Sequence, residues 1–359
     1  MQPWFIFFSF HFSQSNKQIS LMFTHKSLLS LIAMALIAFL MGGCGLNDDR
    51  IAFEEDPGKL SKPGGAVTEI NVTGSSASSL QVSVDLYLFD RFGQPRLDLE
   101  TSNFNIQAAS LDVQASLNAL DLQIRDENNA YEAALLIDQS GSMVDNDPDE
   151  LRLDAAKLFL SRLGENDQAT AGFFPANTLF GSPVRIFGDF TGRGNRYVDE
   201  INDLYGEAGG NTPLYIAAYE TIEYTDDRTS SNNRAVVVFT DGEDTEGDRS
   251  LQEVINYAQA TGIKLYTVGL SRGVDFAVLG NMAYQTGGAF MWAADAPQLI
   301  SMFGTLGNLL EGSADTYQAV WDLTLNSGSF RSGQRVDLEV MVTLENGEAF
   351  LVPFTVVVP

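Results

Sequence analysis

The sequence predicts an α/β protein: a doubly wound, mostly parallel sheet, flanked by a β-sandwich formed by N- and C-terminal strands. Three observations point there. Between Tyr131 and Gly312 short apolar runs alternate with amphipathic stretches, the texture of parallel strands covered by helices on both faces. Before and after that region apolar and polar residues alternate with period two, the mark of half-buried strands. The apolar run 133–137 ends in Asp138-Gln139-Ser140-Gly141-Ser142, which puts small oxygen-bearing side chains at the sheet edge where open α/β sheets bind ligands.

Taken in order, the chain opens with a leader. An apolar run at 28–41 follows His25 and Lys26 and precedes Gly42-Gly43-Cys44. It suits the core of a signal peptide and is short of the roughly 20 residues of a membrane span. Residues 1–43 are therefore expected to be a signal peptide, with Met22 as the true start. Leu40-Met41-Gly42-Gly43-Cys44 resembles the bacterial lipobox, which implies lipidation of Cys44. Residues 44–66, with Glu54-Glu55-Asp56-Pro57-Gly58 and Lys62-Pro63-Gly64-Gly65, read as a polar tether.

A β-strand region is expected over 67–128. Leu80, Val82, Val84, Leu86 and Leu88 share one face, Phe92-Gly93-Gln94-Pro95 makes a turn, and weaker strand signals lie at 104–108 and 120–125. The α/β domain is placed at 129–312. Its strands are expected at 133–137, 169–174, 184–190, 235–239 and 263–268, with a short one around Phe290. Its helices are expected at 149–163, 213–224, 251–260, 275–285 and 296–310, Pro213 standing in a first turn. In 313–359 the alternation returns through Tyr317, Ala319, Trp321, Leu323 and Leu325, then Val336, Leu338, Val340 and Val342. Asn346-Gly347 turns the chain into a last strand at 350–358. Each flank holds too few strands for independent stability, so a shared sandwich is expected, with two separate β units as the alternative. Trp292 and Trp321 read as core.

Composition removes several function classes. Cys44 is the only cysteine, and His11 and His25 are the only histidines. Cleavage before Cys44 leaves a chain without histidine or free thiol, so zinc sites of Cys or His ligands and Ser-His or Cys-His catalysis are excluded. The formal charge is −26, and loss of 1–43 removes two lysines and no acid, leaving −28. Such a surface repels nucleic acid and attracts divalent cations.

Two more segments carry oxygen ligands. Gly209-Gly210-Asn211-Thr212-Pro213 sets a hydroxyl at a helix start, and Val238-Phe239-Thr240-Asp241-Gly242 ends a strand in an acid. With Asp138-x-Ser140-x-Ser142 they resemble the metal-ion-dependent adhesion site of the von Willebrand factor type A family, over roughly residues 130–312. The resemblance implies that Ser140 and Ser142 bind a metal ion directly, Thr212 directly or through water, and Asp138 and Asp241 mostly through bound water. It implies Mg²⁺, with Mn²⁺ or Ca²⁺ as alternatives, and an open position for a partner's carboxylate. In integrin-type relatives acids just after these serines form an adjacent calcium site. Here Asp145 is followed by Asn146, so a second site at Asp145 and Asn146 competes with the plainer reading of acids before a helix. Glu243, Asp244 and Glu246 read as a solvated loop.

The expected function is a non-enzymatic binding protein of the bacterial cell envelope. It is held to the membrane by lipid, at the outer membrane in a Gram-negative source, and meets a protein or other macromolecule through the metal. The alternative is an assembly subunit in which the metal is only structural.

Overall fold

The computed structural model describes residues 61–108, 113–176 and 181–359. The leader, Cys44 and the tether up to residue 60 lie outside the described residues. The chain runs through β1 Gly64–Ser75, β2 Ser79–Phe89, β3 Phe104–Ala108, β4 Val113–Gln123 and β5 Glu132–Asp138. Then come α1 Met143–Asn146, α2 Leu151–Ser161, β6 Gln168–Phe174, β7 Arg185–Ile186, α3 Val198–Asn202 and α4 Leu214–Arg228. They are followed by β8 Arg234–Thr240, α5 Leu251–Thr261, β9 Lys264–Leu270, α6 Phe276–Tyr284, β10 Phe290–Ala293 and α7 Pro297–Glu311. β11 Thr316–Leu325, β12 Arg335–Thr343 and β13 Ala349–Val357 complete it.

Two sheets result, one of ten strands in the order β4-β11-β2-β1-β10-β9-β8-β5-β6-β7 and one of three, β13-β12-β3. The run from β10 to β6 is parallel. Its strands are buried on both faces, so they read as continuous apolar runs rather than alternating ones. Leu135, Ile137, Val237 and Phe239 meet α2 and α7, while Leu136, Val236 and Val238 meet α4, α5 and α6. After β5 the chain turns to one side for β6, then crosses back to lay β8 on the other side. The gap between the carboxyl ends of β5 and β8 is thus a switch point, the place where such sheets bind ligands.

The flanking strands from both ends of the chain do share a sandwich. β1, β2 and β4 from the N-terminal side pair with β11 from the C-terminal side, directly or through β2, and the three-stranded sheet packs on them. Val82, Val84, Trp321 and Leu323 face Val336, Val340 and Phe354 in one apolar core. The larger half of this sandwich is also continuous with the α/β sheet, because β1 pairs antiparallel with β10 through Ala66↔Met291 and Val67↔Phe290. That pairing covers what would otherwise be an open parallel edge.

β1 itself has no counterpart among the expected strands. Its first residues, Gly64 to Ala66, were expected to close the tether, and Pro63-Gly64-Gly65 looks like a breaker. Gly65 is a packing residue instead, since a Cβ there would come within 2.8 Å of Leu88 Cδ2 and Val352 Cγ2. The strand expected at 184–190 shrinks to Arg185–Ile186, paired antiparallel with β6, and α3 was not expected. Trp292 and Trp321 are buried, as core residues should be.

Candidate functional site

Each candidate ligand stands where a strand or helix begins or ends. Asp138 is the last residue of β5, Ser142 immediately precedes α1, and Asp241 follows β8. Thr212 lies just before Pro213, from which α4 starts. Asp138 and Asp241 are 0% and 1% exposed, Ser140 and Thr212 are buried as well, and Ser142 is open to solvent. The result is a cluster of polar side chains, four of them buried, with Ser142 at its surface.

Hydrogen bonds tie four of the five together. Asp138 Oδ1 accepts the Ser140 N–H at 2.7 Å, and Asp138 Oδ2 accepts the Thr240 hydroxyl at 2.7 Å. The Ser142 hydroxyl donates to Asp241 Oδ1 at 2.7 Å, which leaves Ser140 Oγ as the donor in its 3.1 Å contact with Ser142 Oγ. The Asn146 amide donates to Asp241 Oδ2 at 2.9 Å. Thr212 joins through its loop. A Cβ on Gly242 would lie 3.8 Å from Thr212 Oγ1. Gly141 N–H donates to Gly210 O at 3.0 Å, and Gly209 N–H to Gln139 O at 2.8 Å. The Thr245 hydroxyl accepts the Thr212 N–H at 2.8 Å, so the loop after Asp241 clasps the Thr212 loop in turn. Gly210 takes φ +86°, a conformation in which other residues are strained.

Electrostatics gives the site its character. Burial, and then the nearby charge of Asp241, push the Asp138 carboxyl up to about 6. Among the described residues no lysine or arginine pairs with either acid. Two facing carboxylates without a cationic partner, ringed by hydroxyl oxygens, form the donor set of a hard divalent cation such as Mg²⁺. Donors of this chemistry fit a divalent ion of the kind that the resemblance implies. Among the described residues no group of three or more His, Cys, Asp or Glu side chains is placed to hold a metal ion, so the oxygen donors gathered here are two carboxylates and neutral hydroxyls. At the second site considered, Asp145 is exposed and the Asn146 amide donates to Asp241.

The family model of the von Willebrand factor type A domain matches residues 133–304. This region is a type A domain. Solved structures of similar fold include proximal thread matrix protein 1 from the mussel byssus, at 15% identity and TM-score 0.43, covering 53% of this chain and 49% of that one. A von Willebrand factor type A protein from Catenulispora acidiphila matches at 13% identity and TM-score 0.41, covering 83% and 74%. Manganese-loaded TRAP protein of Plasmodium vivax matches at 15% identity and TM-score 0.39, covering 67% and 96%. The chain spans about half the length of the mussel protein. No curated protein matches the sequence.

Two residues of the type A domain, Thr240 and Thr245, contribute to the site without having been singled out, and Asn146, considered above only for a second metal site, contributes through Asp241. Thr240 is adjacent to Asp241, and Asn146 lies one helical turn beyond Ser142, a spacing that places side chains on one face. Those offsets were readable. Thr245 is different, because its role depends on how the 242–247 loop folds back on Thr212.

Proposed function

We propose that this chain is a binding protein, not an enzyme, that holds a divalent metal ion, Mg²⁺ first, with Ser140, Ser142, Thr212, Asp138 and Asp241. The observation that carries this reading is the pair of buried carboxylates, Asp138 and Asp241, set without a cation beside hydroxyls at a solvent-open switch point. Bound there, the ion supplies an electrophilic position for an acidic group of a partner. The chain's own residues account for the rest. The hydroxyls of Ser140, Ser142 and Thr212 are neutral, so they do not quench the ion's charge. Asp138 and Asp241 lie deeper, where they balance the charge while Thr240 and Asn146 hold their orientation. Ser142, exposed at the surface, leaves the outer side of the site to a carboxylate offered by a protein or other macromolecule.

The same reading places the chain in the bacterial envelope, anchored through a lipid on Cys44, with the tether holding the domain off the membrane. An outer-membrane position follows in a Gram-negative source. In the competing reading, an assembly subunit, the metal serves stability alone.

The test is retention of envelope proteins by the mature chain, with Mg²⁺ or with chelator, for wild type and Ser142→Ala. Direct titration of both proteins with Mn²⁺, followed by its electron paramagnetic resonance, accompanies it. Mn²⁺ uptake and a partner retained only by the wild type with Mg²⁺ support the proposal. Equal retention in every arm sinks it in favour of the assembly reading, and absence of ion uptake removes the metal from both.

A further inference from the structure

Behind the site lies an arginine with no exposed side-chain surface. Arg152 opens onto no solvent, and a cation so buried is tolerated only when matched partners surround it. Its Nη1 donates to Asp147 Oδ2 at 2.9 Å, and its Nε to Gln139 Oε1 at 3.0 Å. Its Nη2 also donates to Gln139 Oε1 and reaches Glu150 Oε1 at 3.4 Å.

Each partner belongs to a different segment beside the site. Gln139 sits between Asp138 and Ser140. Its side-chain amide donates to Leu204 O at 2.9 Å, and its backbone carbonyl accepts the Gly209 N–H at 2.8 Å. Asp147 closes the turn that carries Ser142 and Asn146, and accepts the N–H groups of Leu151 and Arg152 at 2.8 and 3.0 Å. Glu150, held at φ +54°, accepts the Gly206 N–H on both carboxylate oxygens, at 2.9 and 3.1 Å. One guanidinium thus ties the 138–142 loop, the 143–150 segment and, through Gln139 and Glu150, the 204–212 loop that ends in Thr212.

We propose that Arg152 is a positioning residue that fixes the separation between the Ser140–Ser142 loop and the Thr212 loop, so that the site favours Mg²⁺ over the larger Ca²⁺. The proposal rests on the metal reading above. Mg²⁺ demands near-ideal octahedral geometry at about 2.1 Å, whereas Ca²⁺ accepts irregular sets at about 2.3–2.6 Å, so rigidity of these segments decides between them. A planar guanidinium fork can fix three segments at once, and an ammonium cannot. Loosening the clamp should therefore penalise Mg²⁺ more than Ca²⁺.

The experiment is calorimetric titration of the mature protein with MgCl₂ and with CaCl₂, for wild type, Arg152→Lys, Gln139→Met and Ser142→Ala, with thermal unfolding in chelator alongside. Arg152→Lys keeps a charge beside Asp147. Gln139→Met leaves the Arg152–Asp147 pair intact, so a folded variant is available even if the first unfolds. The Mg²⁺ Kd is expected to rise about 10–100-fold, the loss usual when a group orienting a ligand is removed. The Ca²⁺ Kd should rise distinctly less, and the selectivity ratio should fall. A ratio unchanged in the folded variants, with both affinities falling in step with stability, overturns the proposal and leaves Arg152 a core residue. If the wild type binds neither ion, or Ser142→Ala binds both as the wild type does, the metal reading fails first and this inference with it.

Discussion

Asp138 illustrates how much of the site depends on single hydrogen bonds. Its carboxylate is wholly buried and its acceptors are matched to Ser140 N–H and the Thr240 hydroxyl. Thr240→Val keeps the shape and removes one donor, leaving Oδ2 unpaired. A buried acceptor stripped of its partner costs about 1–3 kcal/mol, so the urea midpoint of the metal-free protein should fall accordingly. An unchanged midpoint would mean that water replaces the hydroxyl and that Thr240 has no part in holding the acid. Asn146 works on the other acid through its amide, which is neutral. An aspartate at that place would add a third carboxylate beside Asp138 and Asp241, so an amide suits the geometry better than an acid.

At the scale of elements, the loops that carry the ligands are held by helix ends. The Asp244 carboxylate accepts the Tyr215 N–H at 3.0 Å in the first turn of α4, the helix that Thr212 precedes. A run that reads as solvated acid therefore has a structural task. α6 shows the same device at the join with the sandwich. Asp275 caps it, accepting from Ala277 and Val278 N–H at 2.8 and 3.2 Å, and its other oxygen accepts from Arg335 at 3.0 Å across to β12. Asp275→Ala should cost about 1 kcal/mol through the cap, read as a lower thermal midpoint. A loss indistinguishable from zero would show the cap to be replaced by solvent. α7 is bound along its length as well: Tyr87 Oη from β2 meets Thr305 Oγ1 at 2.5 Å and the Asn308 amide at 2.8 Å.

For the whole molecule, one consequence of a bound ion is linkage. An ion that binds the folded chain and not the unfolded one stabilises it by about 2.7 kcal/mol at a hundredfold excess over Kd. The thermal midpoint should therefore climb with Mg²⁺ and return with chelator, and Ser142→Ala should flatten the response. A midpoint indifferent to Mg²⁺ in the wild type would speak against any resident ion. The reach of that stabilisation is broad because the ten-stranded sheet carries both the type A domain and one wall of the sandwich. Unfolding is accordingly expected to be cooperative across the two. Among the described residues no helix is long and apolar enough to cross a membrane.

The α/β texture, most element positions and the order of the ligand-bearing segments were legible because they are local. Apolar runs such as Val236-Val237-Val238 identify a strand buried on both faces, and an acid or hydroxyl at its end identifies a ligand-bearing edge. β1 was not legible, since Gly64 and Gly65 look like breakers until Leu88 and Val352 pack against them. Nor was the fusion of the sandwich with the parallel sheet, which depends on β1 finding β10 more than two hundred residues later. The site divides along the same line. Asp138, Ser140, Ser142, Thr212 and Asp241 stand out by type and spacing, each beside its own strand or helix end. Arg152 reads as an ordinary helical residue and Gln139 as a spacer. Only the folded chain takes that charge out of water and surrounds it with three loops, because burial and long-range pairing are properties of packing, which no local spacing encodes.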